Sequence, residues 1–189
     1  MKNSELQKHL EKLRNPILYE TGGGIEYISP NIYYYTGIYA EEFSANRDLF
    51  PGKINPEDYV EANHKIREWH KHNEPGVVVT EFRFKTNYGE FIWMEDYLFS
   101  VKSKEKPKYM AGIMMDVTFE KMETLRLLQI KYSGKETDDE SGIVTEEHLS
   151  DLNLQKSERK SAAEKIAEII TAGNFSMKDV FTSCYPRIR

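Results

Sequence analysis

Three histidines on one predicted helix, His64, His70 and His72, come closest to a metal-ligating pattern in this chain. Imidazole is the commonest protein metal ligand, but positions i and i+2 do not share a helix face, so His70 and His72 do not pair as ligands. The carboxylates Glu41-Glu42, Glu57-Asp58 and Glu95-Asp96 are adjacent pairs. Spacing alone does not make an acid/base couple, and these pairs read as solvated faces and helix starts. Cys184 is the single cysteine. It rules out an internal disulfide framework and a thiolate cluster within one chain, and with no base beside it in sequence it does not read as a nucleophile. Gly22-Gly23-Gly24 could cradle a phosphate or turn a hairpin. No periodic helix follows and no Lys-Ser/Thr closes the motif, so the hairpin is favoured.

The elements that would position such residues follow from composition and periodicity. The 189 residues allow one core plus an appendage, and a net charge of −5 gives no electrostatic reason to expect nucleic acid or an anionic membrane. The N-terminal residues lack the apolar core of a signal peptide, and no run approaches a membrane span. A soluble protein of the reducing cytoplasm is expected.

Residues 1–15 carry Leu6, Leu10 and Leu13 on one helical stripe. So narrow a stripe needs a cover, from a second copy, a neighbouring helix or the sheet. "PILYE" and "IEYIS" predict two strands around the glycines. Ser29 is expected to cap a short helix ended by Gly37. Asn55, with Pro56 behind it, caps a longer helix whose Tyr59, Ala62, Ile66 and Trp69 recur at three- and four-residue spacing. "GVVVTEFRFKTN", "EFIWMEDYLFSVK" and "KYMAGIMMD" predict an antiparallel meander. In its first strand Val78, Thr80, Phe82 and Phe84 alternate with Val79, Glu81, Arg83 and Lys85. Residues 119–133 form a connector helix with Met122, Leu125 and Leu128 on its apolar side. Residues 134–156 read as a polar linker, and 157–189 as a helical segment broken at Gly173, with Ser176 as a second cap.

In this order, Tyr27, Ser29-Pro30-Asn31, Thr36-Gly37 and Glu42-Phe43, then Glu81, Arg83, Gly89-Glu90 and Trp93, resemble the pattern of a PAS (Per-Arnt-Sim) sensor domain. Asn55-Pro56-Glu57-Asp58 is similar to that family's HPDD helix start, with Asn in place of His. Asp116-Val117-Thr118 is similar to the D-I/V-T that closes its last strand. The resemblance spans residues 16–118 and implies an α+β fold, a five-stranded antiparallel sheet with flanking helices.

It also implies a cavity walled by Tyr59, Ile66, Trp69, Val78, Thr80, Phe82, Phe84, Ile92, Met94 and Leu98. That cavity would be either filled by side chains or open to a small apolar ligand, with methionines 94, 110, 114 and 115 giving it adaptability. Glu81, Arg83 and Trp93 are expected at the rim, in a structural ion pair. Some relatives hold haem through a histidine on the long helix, which points to His70, although no cofactor is expected here. The flavin-photoreceptor branch needs an asparagine-cysteine pair on that helix, and this chain has no cysteine there.

Asp116, Val117 and Thr118 are expected to splice the last strand stiffly into the connector helix and so to relay a change in the sheet. Residues 119–147 contain no histidine, so no kinase phospho-acceptor lies in them. The expected protein is therefore a non-enzymatic sensory or regulatory module, a homodimer through Leu6, Leu10, Leu13, Met122, Leu125 and Leu128. It would belong to a larger signalling protein with a kinase, phosphatase or cyclase output. Two other readings stand beside it. One is a haem- or flavin-binding redox sensor. The other is a transcription regulator whose C-terminal helix, Gly173 and a short helix with Arg187 and Arg189 form a helix-turn-helix, against which Pro186 and the plentiful acids argue.

Overall fold

The computed structural model describes residues 2–72, 76–101, 109–132, 139–173 and 175–185. The period-two stretches become five strands, β1 (Ile17–Thr21), β2 (Ile25–Ile28), β3 (Val77–Lys85), β4 (Phe91–Val101) and β5 (Tyr109–Asp116). They pair antiparallel in the order β2-β1-β5-β4-β3. The glycine run is the β1–β2 hairpin: Thr21 Oγ1 donates to the Gly24 carbonyl at 2.9 Å, and Gly23 takes φ +130°, a conformation side chains rarely adopt.

Seven α-helices and one short 3-10 helix (Pro51–Lys53) complete the described chain: α1 (Lys2–Leu10), α2 (Ile32–Thr36), α3 (Ala40–Ala45), α4 (Pro56–Lys71), α5 (Thr118–Tyr132), α6 (Asp139–Gly173) and α7 (Met177–Cys184). Asn55 caps α4 by accepting from the Glu57 amide at 3.1 Å, and Ser176 caps α7 by accepting from the Asp179 amide at 3.1 Å. Gly37 ends α2 in the left-handed region. Ser29 does not cap that helix. Its hydroxyl accepts from the Leu18 amide of β1 at 2.9 Å and donates to Asn31 at 2.5 Å, while the Ile32 amide donates to the Ser29 carbonyl at 3.1 Å.

Alternation sorts the sheet into two faces with separate cores. On the inner face Ile17, Tyr19, Phe82, Phe84, Met94, Leu98 and Met114 meet Ile32, Phe43 and Ile54 from α2, α3 and the turn before α4. On the outer face Leu18, Tyr97, Phe99, Ala111, Ile113 and Met115 meet α1, α6 and α7. Ala162, Ala163 and Ala167, beside Ile166 and Ile170, are all buried. Small side chains there let the α6 backbone lie close to the sheet.

Two expectations change here. Leu6, Leu10 and Leu13 were expected at a dimer interface; they are 2 %, 1 % and 4 % exposed inside the chain, under α6, α7 and the sheet. Of the three covers their stripe could take, neighbouring helices and the sheet provide it, and burying each leucine is worth about 1.5–3 kcal/mol. The polar linker predicted over 134–156 is helical from Asp139 onward, as the first part of α6; residues 133–138 lie outside the described residues. Among the described residues no helix is long and apolar enough to cross a membrane.

Candidate functional site

The expected cavity residues do not all share one environment. Thr80, Phe82, Phe84, Met94 and Leu98 are buried on the inner face. Val78, Ile92 and Ile66 are half-buried against the same core, and Trp69 is half-buried on α4. Tyr59 departs from the expectation, with 38 % of its surface exposed. Its predecessor Asp58 is the residue turned to the sheet, accepting from the Arg83 amide at 2.7 Å and from the Arg83 guanidinium at 2.7 and 2.8 Å. One helical step of about 100° then carries Tyr59 away from the core.

The Arg83 guanidinium also lies 5.7 Å from the centre of the Trp93 ring. The rim motif therefore pins the start of α4 to β3. Charge-assisted hydrogen bonds from Arg83 hold the Asp58 carboxyl below its ordinary pKa.

The most consequential inner-face group is one the sequence reading placed on a solvated surface. Asp96 is 4 % exposed and follows the same alternation along β4 as Met94 and Leu98. That spacing was the available signal. The Tyr19 hydroxyl donates to its Oδ2 at 2.8 Å, reaching across β5 from β1. The reach requires Gly112, Tyr19's cross-strand partner, where a Cβ would run into the Tyr19 ring. Burial pushes the Asp96 carboxyl up to about 7 and, with the neighbouring carboxyl, pushes the Tyr19 phenol well above its ordinary value. Among the described residues Asp96 Oδ1 has no partner, and neither does Oγ1 of Thr80, the residue directly opposite on β3. Ser100 Oγ, four residues along β4, is likewise unpartnered.

The other half of that adjacent pair, Glu95, faces outward and is 1 % exposed. Tyr97 donates to it at 2.6 Å and Arg159 of α6 at 3.0 Å, with Lys156 3.8 Å away. Glu81 on β3 pairs with Lys121 of α5 and Lys156 of α6. Glu120 of α5 lies 3.8 Å from Arg159 and 3.6 Å from Arg14. These ion pairs tie sheet, α5 and α6 together, and a cleft of about 270 Å³ opens among Lys12, Arg14, Asp116, Glu120 and Arg159.

The β5–α5 junction has no loop. Asp116 accepts from the Thr118 amide at 2.9 Å, as a cap should. Thr118 Oγ1 instead accepts from the Trp93 amide of β4 at 2.8 Å, while the Val117 amide donates to the Trp93 carbonyl at 2.8 Å. Val117 is buried. The start of α5 is thus bonded to both β5 and β4. Beyond it Phe119, Met122, Leu125 and Tyr132 are 57–78 % exposed, whereas Leu128 is half-buried and Leu127 points inward.

His70 stands exposed at the inner-face edge, its Nε2 3.1 Å from Met110 Sδ and its ring 4.8 Å from that of Trp69. His64 and His72 are exposed as well. Among the described residues no cluster of three or more His, Cys, Asp or Glu could hold a metal. In α7, Met177, Val180 and Phe181 are buried against the sheet; Pro186, Arg187 and Arg189 lie outside the described residues.

Residues 25–114 match the family model described as PAS fold, and together with β1 they build that fold, a five-stranded antiparallel sheet with flanking helices. Three solved structures are similar. The N-terminal domain of a diguanylate cyclase with PAS/PAC sensor from Marinobacter aquaeolei is 17% identical, with a TM-score of 0.48, covering 57% of this chain and 99% of that one. A sensory box histidine kinase/response regulator from Burkholderia thailandensis is 23% identical, at 0.46, covering 61% and 88%. The PAS domain of a protein from Colwellia psychrerythraea is 14% identical, at 0.46, covering 60% and 98%. No curated protein matches the chain.

Proposed function

We propose that this PAS domain is a non-catalytic sensor in signal transduction. A small ligand or partner alters packing on the inner face of the sheet, the 116–118 splice carries the change into α5, and a downstream effector reads it. The observation that supports this most is the double attachment of the splice. Because Thr118 Oγ1 and the Val117 amide both bond to Trp93, a shift of β4 relative to β5 must reorient the first turn of α5. The exposed side of α5, with Met122 and Leu125, then fits a helix-to-helix contact with a second copy, Leu128 at its margin. The output would be a kinase, phosphatase or cyclase activity, and the setting the cytoplasm.

The test is a thermal-shift screen of small apolar compounds, followed by hydrogen exchange of bound and free protein. A ligand that raises Tm and also changes protection over 118–132 supports the relay. One that binds and leaves α5 unchanged removes it. An absorbance spectrum separates the haem or flavin reading, since visible bands in the purified protein would establish a redox cofactor.

A further inference from the structure

We propose that the inner face at Thr80 and Asp96 is a recognition site for a small cationic amine with an apolar or aromatic body. The inference rests on the ligand-sensing reading above and names the class of ligand. Two polar atoms on the floor of this face, Asp96 Oδ1 and Thr80 Oγ1, belong to side chains 4 % and 1 % exposed, and neither has a partner among the described residues. A buried polar atom left unpaired is destabilising, so these two atoms form a place where a partner would be bound. Asp96 and Thr80 are opposite residues on neighbouring strands, which sets their side chains side by side on one surface. Tyr19, held over Gly112, fixes the other carboxylate oxygen and leaves Oδ1 as the free acceptor.

The surroundings choose the ligand. Val78, Ile66 and Met110 pack against this inner core and are half-buried, so the margin of the face is apolar and incompletely covered. An apolar body fits such walls, and a methionine adapts to its shape. No lysine or arginine is among the buried described residues. The basic group at the edge of this face is His70, exposed beside Met110, so at the floor an anionic ligand would meet a carboxyl with no buried cation, whereas an ammonium head supplies donors to Oδ1 and Thr80 Oγ1 and a charge to balance the carboxylate. A bridging water is the competing occupant. It would satisfy the same two atoms without any need for an opening.

Calorimetric titration of the full chain tests this with three probes of similar size: 2-phenylethylamine, ethylbenzene and 3-phenylpropionate. The amine should bind at least tenfold more tightly than either of the others. Asp96→Asn should lower amine affinity at least tenfold and leave ethylbenzene unchanged; if that variant does not fold, as judged by circular dichroism, Thr80→Val should weaken amine binding in the same direction. Equal binding of all three probes would overturn the amine assignment and leave a plain apolar cavity, so ligand sensing would survive. Ethylbenzene binding without the amine would do the same. Binding by none of the probes to folded protein would count against both readings. A structure grown with the amine that shows only a water between Asp96 and Thr80 would also overturn it.

Discussion

Glu95 and Asp96 are neighbours in the chain, both carboxylates and both buried, yet the two faces of the sheet treat them differently. On the outer face Glu95 is closed by the fold itself, with Tyr97, Arg159 and Lys156 around it. On the inner face Asp96 has one hydroxyl partner and one orphaned oxygen. A buried charge is tolerable when the partner is built into the fold. Where the fold stops short, the group holds its proton more tightly and waits for another partner. The outer face therefore reads as finished structure and the inner face as a receptive one.

The largest effect should come from opening the closed side. Arg159→Met leaves the buried Glu95 only the Tyr97 hydroxyl and the exposed-side Lys156 at 3.8 Å and should cost about 3 kcal/mol in urea unfolding, while replacing Glu95 and Arg159 together by methionines should restore most of it. If the double variant is no more stable than the single, the ion pair is not what closes this face.

Next comes Asp96, through pH. Its folded pKa of about 7 lies above the unfolded value of about 3.9. The folded protein therefore holds a proton that the unfolded chain has lost between those values. This contribution to stability is full below about pH 4 and is lost as pH rises through about 7. Asp96→Asn should remove that slope, so the variant gains on the wild type as pH rises, by a few kcal/mol at pH 8. Parallel stability curves for the two proteins would mean that Asp96 is already satisfied.

A smaller loss, about 1–2 kcal/mol, is expected for Thr118→Val, which strips the side-chain partner from the half-buried Trp93 amide. Its signature is faster hydrogen exchange at the start of α5 with the sheet unchanged. The least effect on stability, within about 0.5 kcal/mol, should follow Met122→Ser with Leu125→Ser at the exposed side of α5. Light scattering should nonetheless show a lower association state if α5 carries the dimer.

The sheet and its hairpin were legible because alternation and glycine turns are local signals, and the caps at Asn55 and Ser176 were legible for the same reason. The fold-back of α6 was not. Its first half is polar, and what anchors the helix is Arg159, Ala162, Ala163 and Ile166 meeting strands far away in sequence, a contact no local window contains. Leu6, Leu10 and Leu13 announced that they needed a cover, but the identity of the cover depended on that fold-back. Asp96 was misjudged for a different reason. Its charge argued for solvent, its place in the β4 alternation argued for the interior, and alternation prevailed because Tyr19 could reach it. Where acid and alternation conflict within a strand otherwise full of apolar residues, the conflict itself marks a place worth inspecting.

The bare backbone at Gly112 gives that conflict its control point. Any side chain there would lift the Tyr19 ring off its neighbouring strand and strip Asp96 of its one donor. A change as small as one methyl group on β5 would thus raise the hold of the Asp96 carboxyl on its proton still further.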